Sequence, residues 1–295
     1  MTASTTSPSS TAPATSSAAS RGSRPPGPAR AASDLAAALS SEWVKLRSVR
    51  STWWALAAAL VLMGTVAPFA ALSLASNMAN GDLPSADIPA SEMALYATVW
   101  AVQFAIIAVA LPSVTAEYSS GSIRPSLQAV PARSRLLVAK AVALAATVFV
   151  AGLLLAGVGT LATVLVAGHP YFGGHVVFDA GAAAADALRA AAYLAAVSVL
   201  TLGVGAALRS AAAALTCVFM LLMGLPVMLM LLGSELGLYL ACRMPFFAGI
   251  SFADSPFVLG ELDQALSPAA GGAVLACWAV AAFAAGATVL VRRDA

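Results

Sequence analysis

His169 and His175 stand six residues apart in the stretch His169-Pro-Tyr-Phe-Gly-Gly-His175, a pair of imidazoles with the donors for a metal. Zinc takes three or four protein ligands, so two without a third make a weak site, and a plain loop is the expectation. Cys217 and Cys277 lie within apolar runs and Cys242 in a gap. Their spacing fits neither a disulfide framework nor a metal site, and they read as small apolar packing residues. The sequence holds no G-x-x-x-x-G-K-[ST] to cradle a nucleotide, no H-E-x-x-H and no G-x-S-x-G. Both histidines fall outside the apolar runs, which excludes a bis-His haem within a membrane. Gln103 and scattered Ser and Thr are the polar groups inside the runs; no carboxylate or lysine sits at a run's centre, where a proton relay would need one. No catalytic residue, cofactor or metal is expected.

The elements that would position such residues are six long apolar runs, at about 53–74, 93–114, 136–168, 187–208, 211–232 and 271–291. Of 295 residues, 60% are hydrophobic and 9% charged, with a mean hydropathy of +0.89. A soluble domain carries about 25% charged residues, so lipid must be the solvent for most of this surface. About 20 helical residues at 1.5 Å each cross a hydrocarbon core of about 30 Å, and every run is long enough. Residues 187–232 as one helix would reach about 69 Å, so the chain is expected to break at Leu208-Arg209-Ser210. Pro68, Pro112 and Pro226 mark expected kinks. Gly152, Gly157, Gly159, Gly203 and Gly205 would let helices approach closely.

Charge sets the orientation. Thirteen of the fifteen basic residues fall before the first run, in the second gap with Arg135 and Lys140 entering the third run, in the fourth gap, or after the sixth run. The other side has only Arg189, at the start of the fourth run, and Arg243 in the fifth gap. Lys and Arg collect on the cytoplasmic side, which predicts six spans with both termini cytoplasmic. Residues 1–33, rich in Ser, Thr, Ala, Pro and Gly, lack the apolar stretch of a signal peptide and are read as a disordered cytoplasmic tail.

Three segments outside the runs carry further information. In residues 33–50, Leu35, Leu39, Trp43 and Leu46 share one helical face, with Glu42, Lys45, Arg47 and Arg50 largely off it. That pattern suits a helix on the membrane surface, with Trp43, Lys45, Leu46 and Arg47 at its heart and Trp53 and Trp54 marking where the first span begins. A cytosolic helix packed on a partner is the alternative. Between spans 2 and 3, Gly121 can end a helix and Pro125 and Pro131 bound a short one on the cytoplasmic face. Glu117 sits at the negative end of span 2 and calls for a cation, for which Arg124 is the candidate. The bland reading of this gap is positive-inside topology alone. Residues 233–268 are too apolar for a solvated loop and too interrupted by Pro245 and Pro256 for a span, and read as a re-entrant or interfacial helical pair on the outer face.

The chain resembles the permease subunits of type-2 ABC exporters in their actinobacterial form. The resemblance rests on Glu42-Trp-Val-Lys-Leu-Arg-Ser-Val-Arg-Ser-Thr52 before span 1 and Glu117-Tyr-Ser-Ser-Gly-Ser-Ile-Arg124 after span 2. Val130-Pro-Ala-Arg-Ser-Arg135 with Ala139-Lys140, Leu266-Ser-Pro268, and the end Arg292-Arg-Asp-Ala295 extend it across nearly everything after residue 33. It implies an all-α integral membrane permease over residues 34–295 of the plasma membrane: an interface helix, six spans, a cytoplasmic coupling helix between spans 2 and 3, and an outer helical hairpin before span 6. It also implies a dimer, with itself or a second permease, driven by a separate cytosolic ABC ATPase; the chain itself would not be an enzyme. Glu117, Tyr118, Gly121, Ile123 and Arg124 would form the core of the ATPase contact. Membrane lipid is the other expected partner, and nucleic acid is not one. The competing expectations are an anchor or regulatory protein without transport, an intramembrane hydrolase or transferase, and an ion-coupled carrier. The transported substrate is not legible.

Overall fold

The computed structural model describes residues 28–119, 133–254 and 264–292. Among them, six helices are long and apolar enough to cross a membrane, the build of an integral multi-pass protein: Arg50–Ala79, Ala90–Ala116, Arg135–Ala167, Ala180–Leu208, Ala211–Leu231 and Pro268–Arg292. They are called spans 1 to 6. A helix over Pro28–Ser48 precedes them and packs on spans 1 and 3. It takes in residues 28–33, which the sequence reading placed in the tail. The short helix read between spans 2 and 3 falls on residues that lie outside those described.

The bundle is built around spans 2 and 4. In their most apolar windows 72% and 67% of residues are buried, against 28% in span 1 and 22% in each of spans 5 and 6. Span 4 packs along spans 2, 3 and 6. Its seam with span 6 is set by two glycines. A Cβ on Gly203 would lie 2.4 Å from the Ala282 carbonyl, and one on Gly286 would lie 2.6 Å from the Gly203 oxygen. Backbone therefore touches backbone there, which no larger residue permits. Gly152 is held the same way against the Ala191 Cα, 2.8 Å from where its Cβ would be, whereas Gly157 faces open space.

Local chemistry explains where the helices stop. Asp179 Oδ1 accepts a hydrogen bond from the Ala182 amide at 2.6 Å and caps span 4 seven residues before its apolar run begins. Asp186 and Arg189, read from sequence as loop and boundary, are thus inside the helix. The break between spans 4 and 5 falls where it is expected: Arg209 adopts a left-handed conformation at φ 54, and the Ser210 side chain accepts from the Ala213 amide. Two of the three prolines coincide with irregular turns. Pro112 follows a break at Leu111 in span 2, and Pro226 follows a π-helical turn at Met220–Gly224 in span 5. Pro68 sits within an unbroken helix.

At one end of the bundle, Ile88–Pro89 pairs in parallel with Val176–Val177, tying the loop after span 1 to the loop after span 3. Between spans 5 and 6, the helices Glu235–Ala241 and Pro245–Ala253 form a pair bent by 72°, the helical pair expected from the interrupted apolar sequence.

Candidate functional site

Polar side chains gather at three levels of the bundle. At the end carrying the N-terminal helix, Glu42 is 2% exposed and Lys140 of span 3 is 5% exposed. The Lys140 ammonium donates to Glu42 Oε2 at 2.5 Å, and Lys45, one turn along its own helix, donates to Oε1 at 2.8 Å. Burying a carboxylate costs several kcal/mol unless it is paired and hydrogen-bonded, and here both oxygens are engaged. The reading of Glu42 as an off-stripe, outward residue is corrected. The buried face runs through Ala38, Glu42 and Leu46, and Trp43 is 42% exposed. Of the apolar stripe read for a membrane-surface helix, Leu46 packs inward, whereas Trp43 faces outward, as an apolar residue can beside lipid. Trp53 then ties the corner, its indole N–H donating to the Arg47 carbonyl at 2.9 Å.

Beside this ion pair lies a cavity of about 330 Å³. The N-terminal helix, the starts of spans 1 and 3 and the end of span 2 enclose it. Its polar lining includes Glu42, Lys45 and Lys140, and its apolar lining includes Val49 and Val109. Ala116, near the C-terminal end of span 2, closes one side.

Midway through the bundle, span 2 opens into a π-helical turn at Thr98–Val102. Gln103, fully buried, donates to the Val99 carbonyl, and its own oxygen accepts from the Tyr193 hydroxyl at 2.7 Å. The π turn widens the helix at this level, and the Gln103 side chain adds a bond to one of its carbonyls. Gly249 of the bent pair lies against the Tyr193 ring, where a Cβ would come within 2.1 Å.

At the far end, Ser91 of span 2 donates to Asp186 Oδ2 at 2.6 Å, and Arg189 donates to Asp186 Oδ1 at 3.3 Å. Arg189 also reaches Asp254 Oδ2 and the Ala253 carbonyl, each at 3.4 Å, and so fastens the bent pair to span 4. Burial pushes the Cys242 thiol up, against the pull of the neighbouring Arg243 charge. His169 caps a single turn, its Nδ1 accepting from the Tyr171 amide at 3.2 Å. Among the described residues no group of three His, Cys, Asp or Glu is placed to hold a metal ion.

Of the residues singled out from sequence, Lys45 and Leu46 take part in the first of these sites and Arg47 accepts the Trp53 bond. Glu117 and Tyr118 belong to the helix Pro112–Ser119 at the end of span 2. Gly121, Ile123 and Arg124, and with them the expected Glu117–Arg124 pair, lie outside the described residues. Glu42, Lys140 and Asp186 were not picked out as site residues. Lys140 and Asp186 stand at the edges of apolar runs and Glu42 in the helix before the first run, and nothing in the sequence names their partners. A scan against protein-family models finds none that matches the chain, and a search of the curated proteins finds no match either.

Proposed function

We propose that this chain is the transmembrane subunit of an ATP-driven type-2 ABC exporter of the plasma membrane, with both termini cytoplasmic. It forms the translocation path as a dimer, with itself or with a second permease. ATP is hydrolysed by a separate cytosolic ATPase seated on residues 117–135, with Glu117, Tyr118, Gly121, Ile123 and Arg124 at the centre of the contact. The observation that carries this reading is the order of elements: a helix docked before span 1, six apolar spans, and a bent helical pair between the fifth and sixth. The sequence between spans 2 and 3 supplies Arg124, Arg133 and Arg135 for an acidic partner surface, and the absence of a nucleotide-binding loop from the sequence agrees with an energy source on a separate partner.

The test is recovery of partners with the tagged protein from its native membrane in mild detergent, for wild type and Arg124→Glu. A P-loop ATPase recovered with wild type and lost with Arg124→Glu is the expected outcome. Recovery with both keeps the exporter and moves the contact. Recovery with neither, from intact protein, overturns the reading in favour of an anchor or an enzyme.

A further inference from the structure

Spans 1 and 2 enclose a second cavity, of about 390 Å³, within the range of small-molecule pockets. Its chemistry is graded along the two helices. Ser73 of span 1 and Tyr96 of span 2 each stand six residues from the span ends that carry the paired loops, about 9 Å along a helix. Phe69 and Trp100 line it one turn deeper, with Val66 beyond them. Phe69 is 73% exposed and Trp100 37%, so the mouth lies on the outer surface of the bundle, where lipid is the solvent. None of the nine lining residues is charged. Glu92, beside Met93 in the chain, is not on the lining and is itself partnered. Among the described residues, none hydrogen-bonds the Ser73 or the Tyr96 hydroxyl. Thr65, Thr98, Thr147 and Thr201 each return their hydroxyl to a carbonyl of their own helix, the usual solution within a bilayer. Trp100 and Ala101 belong to the π-helical turn of span 2, and such turns recur at functional sites. The Trp100 ring lies 6.0 Å from that of Tyr96 and 5.1 Å, edge to face, from that of fully buried Phe246. A row of rings therefore runs from the cavity into the helix Pro245–Ala253.

We propose that this cavity binds a small, uncharged, planar aromatic amphiphile that enters from the lipid beside spans 1 and 2. Its ring packs against Phe69 and Trp100, and one hydroxyl or carbonyl on its edge bonds Tyr96 or Ser73. An ion is disfavoured, because the lining offers no opposite charge to compensate its desolvation. A lipid acyl chain fits the apolar wall, yet it leaves both hydroxyls unpaired and lacks the ring-to-ring attraction. Occupancy bears on the bent pair through the Trp100–Phe246 contact. The site is complete within one chain and does not require the exporter reading.

The test uses the full chain in phosphatidylcholine nanodiscs, with β-naphthol as the ligand. An azido derivative of β-naphthol that keeps the hydroxyl is photolysed with the protein, and labelled peptides are mapped by mass spectrometry. Unlabelled β-naphthol, naphthalene and decanol are the competitors. Saturable labelling within residues 66–74 or 93–101 is expected, with decanol about ten-fold weaker than β-naphthol at equal membrane concentration. Phe69→Ala removes an exposed ring and Ala70→Phe fills the cavity, and each is expected to lower the labelling about ten-fold. Ser73→Ala with Tyr96→Phe is expected to reduce the advantage of β-naphthol over naphthalene about five-fold, the loss of one hydrogen bond. Comparing that ratio between wild type and variant cancels the partition of each compound into lipid. Circular dichroism checks that the helices remain. Labelling that does not saturate, or that folded Phe69→Ala and Ala70→Phe leave unchanged, overturns the site. Equal competition by decanol overturns it by making the cavity a seat for any lipid chain. An unchanged naphthol-to-naphthalene ratio in the hydroxyl variant overturns the class of ligand.

Discussion

Glu42 illustrates how one residue can hold an element in place. Its carboxylate bridges Lys45 on its own helix and Lys140 on span 3, and all three line the same cavity. Removing one member of a buried pair leaves the other charge uncompensated, whereas removing both can be nearly neutral. Lys140→Ala leaves Glu42 with Lys45 and one unpaired oxygen and is expected to destabilise the protein by about 2 kcal/mol, and Glu42→Met with Lys140→Met together by about 1 kcal/mol or less. Thermal unfolding in one detergent checks this; a double variant no better than the single would show that the pair is not the source of the loss. The sequence contained all three residues in plain view. What it could not supply was the face of the helix, because Trp43 and Leu46 are equally apolar while one turns outward and the other packs inward. Hydrophobicity separates inside from outside only where the outside is water.

At the scale of helices, the spans were legible because about twenty consecutive apolar residues have one common explanation. Their ends were less so. Span 4 starts at Ala180 because Asp179 caps it there, and a hydrogen-bonded helix extends through Asp186 and Arg189 regardless of their polarity. Which spans form the centre was also hidden. Spans 2 and 4, the most buried, have mean hydropathies of 2.0 and 1.9, below the 2.1 to 2.5 of the others. Their Ser91, Gln103 and Asp186 find partners within the bundle, and lipid would give them none. The glycines divide by what they touch. Gly203→Leu is expected to force spans 4 and 6 apart and cost more than about 3 kcal/mol, because the obstacle is backbone that cannot move aside. Gly157→Ala, with nothing within 4 Å, is expected to be neutral or up to about 1 kcal/mol stabilising from helix propensity alone. Unfolding of the two variants in the same detergent separates them; similar losses would mean that the seam at Gly203 does not depend on close backbone approach.

The whole molecule has two unlike ends. Lys45 and Lys140 share a cavity at one, and Arg209 at the foot of span 4 reaches the Val289 carbonyl of span 6 there. The other carries the paired loops, Asp186 and the bent pair. In the proposed orientation, with the first end cytoplasmic, a cysteine at Asp82 should react from outside intact cells with an impermeant maleimide and one at Ser120 should not. The reverse pattern of labelling would invert the molecule. The two ends also differ in how their ionic contacts meet the surrounding electrolyte. The Glu42–Lys140 side chains are 3% and 6% exposed, while those of Arg189 and Asp254 are 34% and 48% exposed. Mobile ions shorten the reach of exposed charges to about 8 Å at physiological ionic strength and about 3 Å at 1 M, and barely enter a buried pair. The clasp on the bent helical pair is thus tuned by the salinity of the medium it faces, and the clasp on the N-terminal helix is insulated from it.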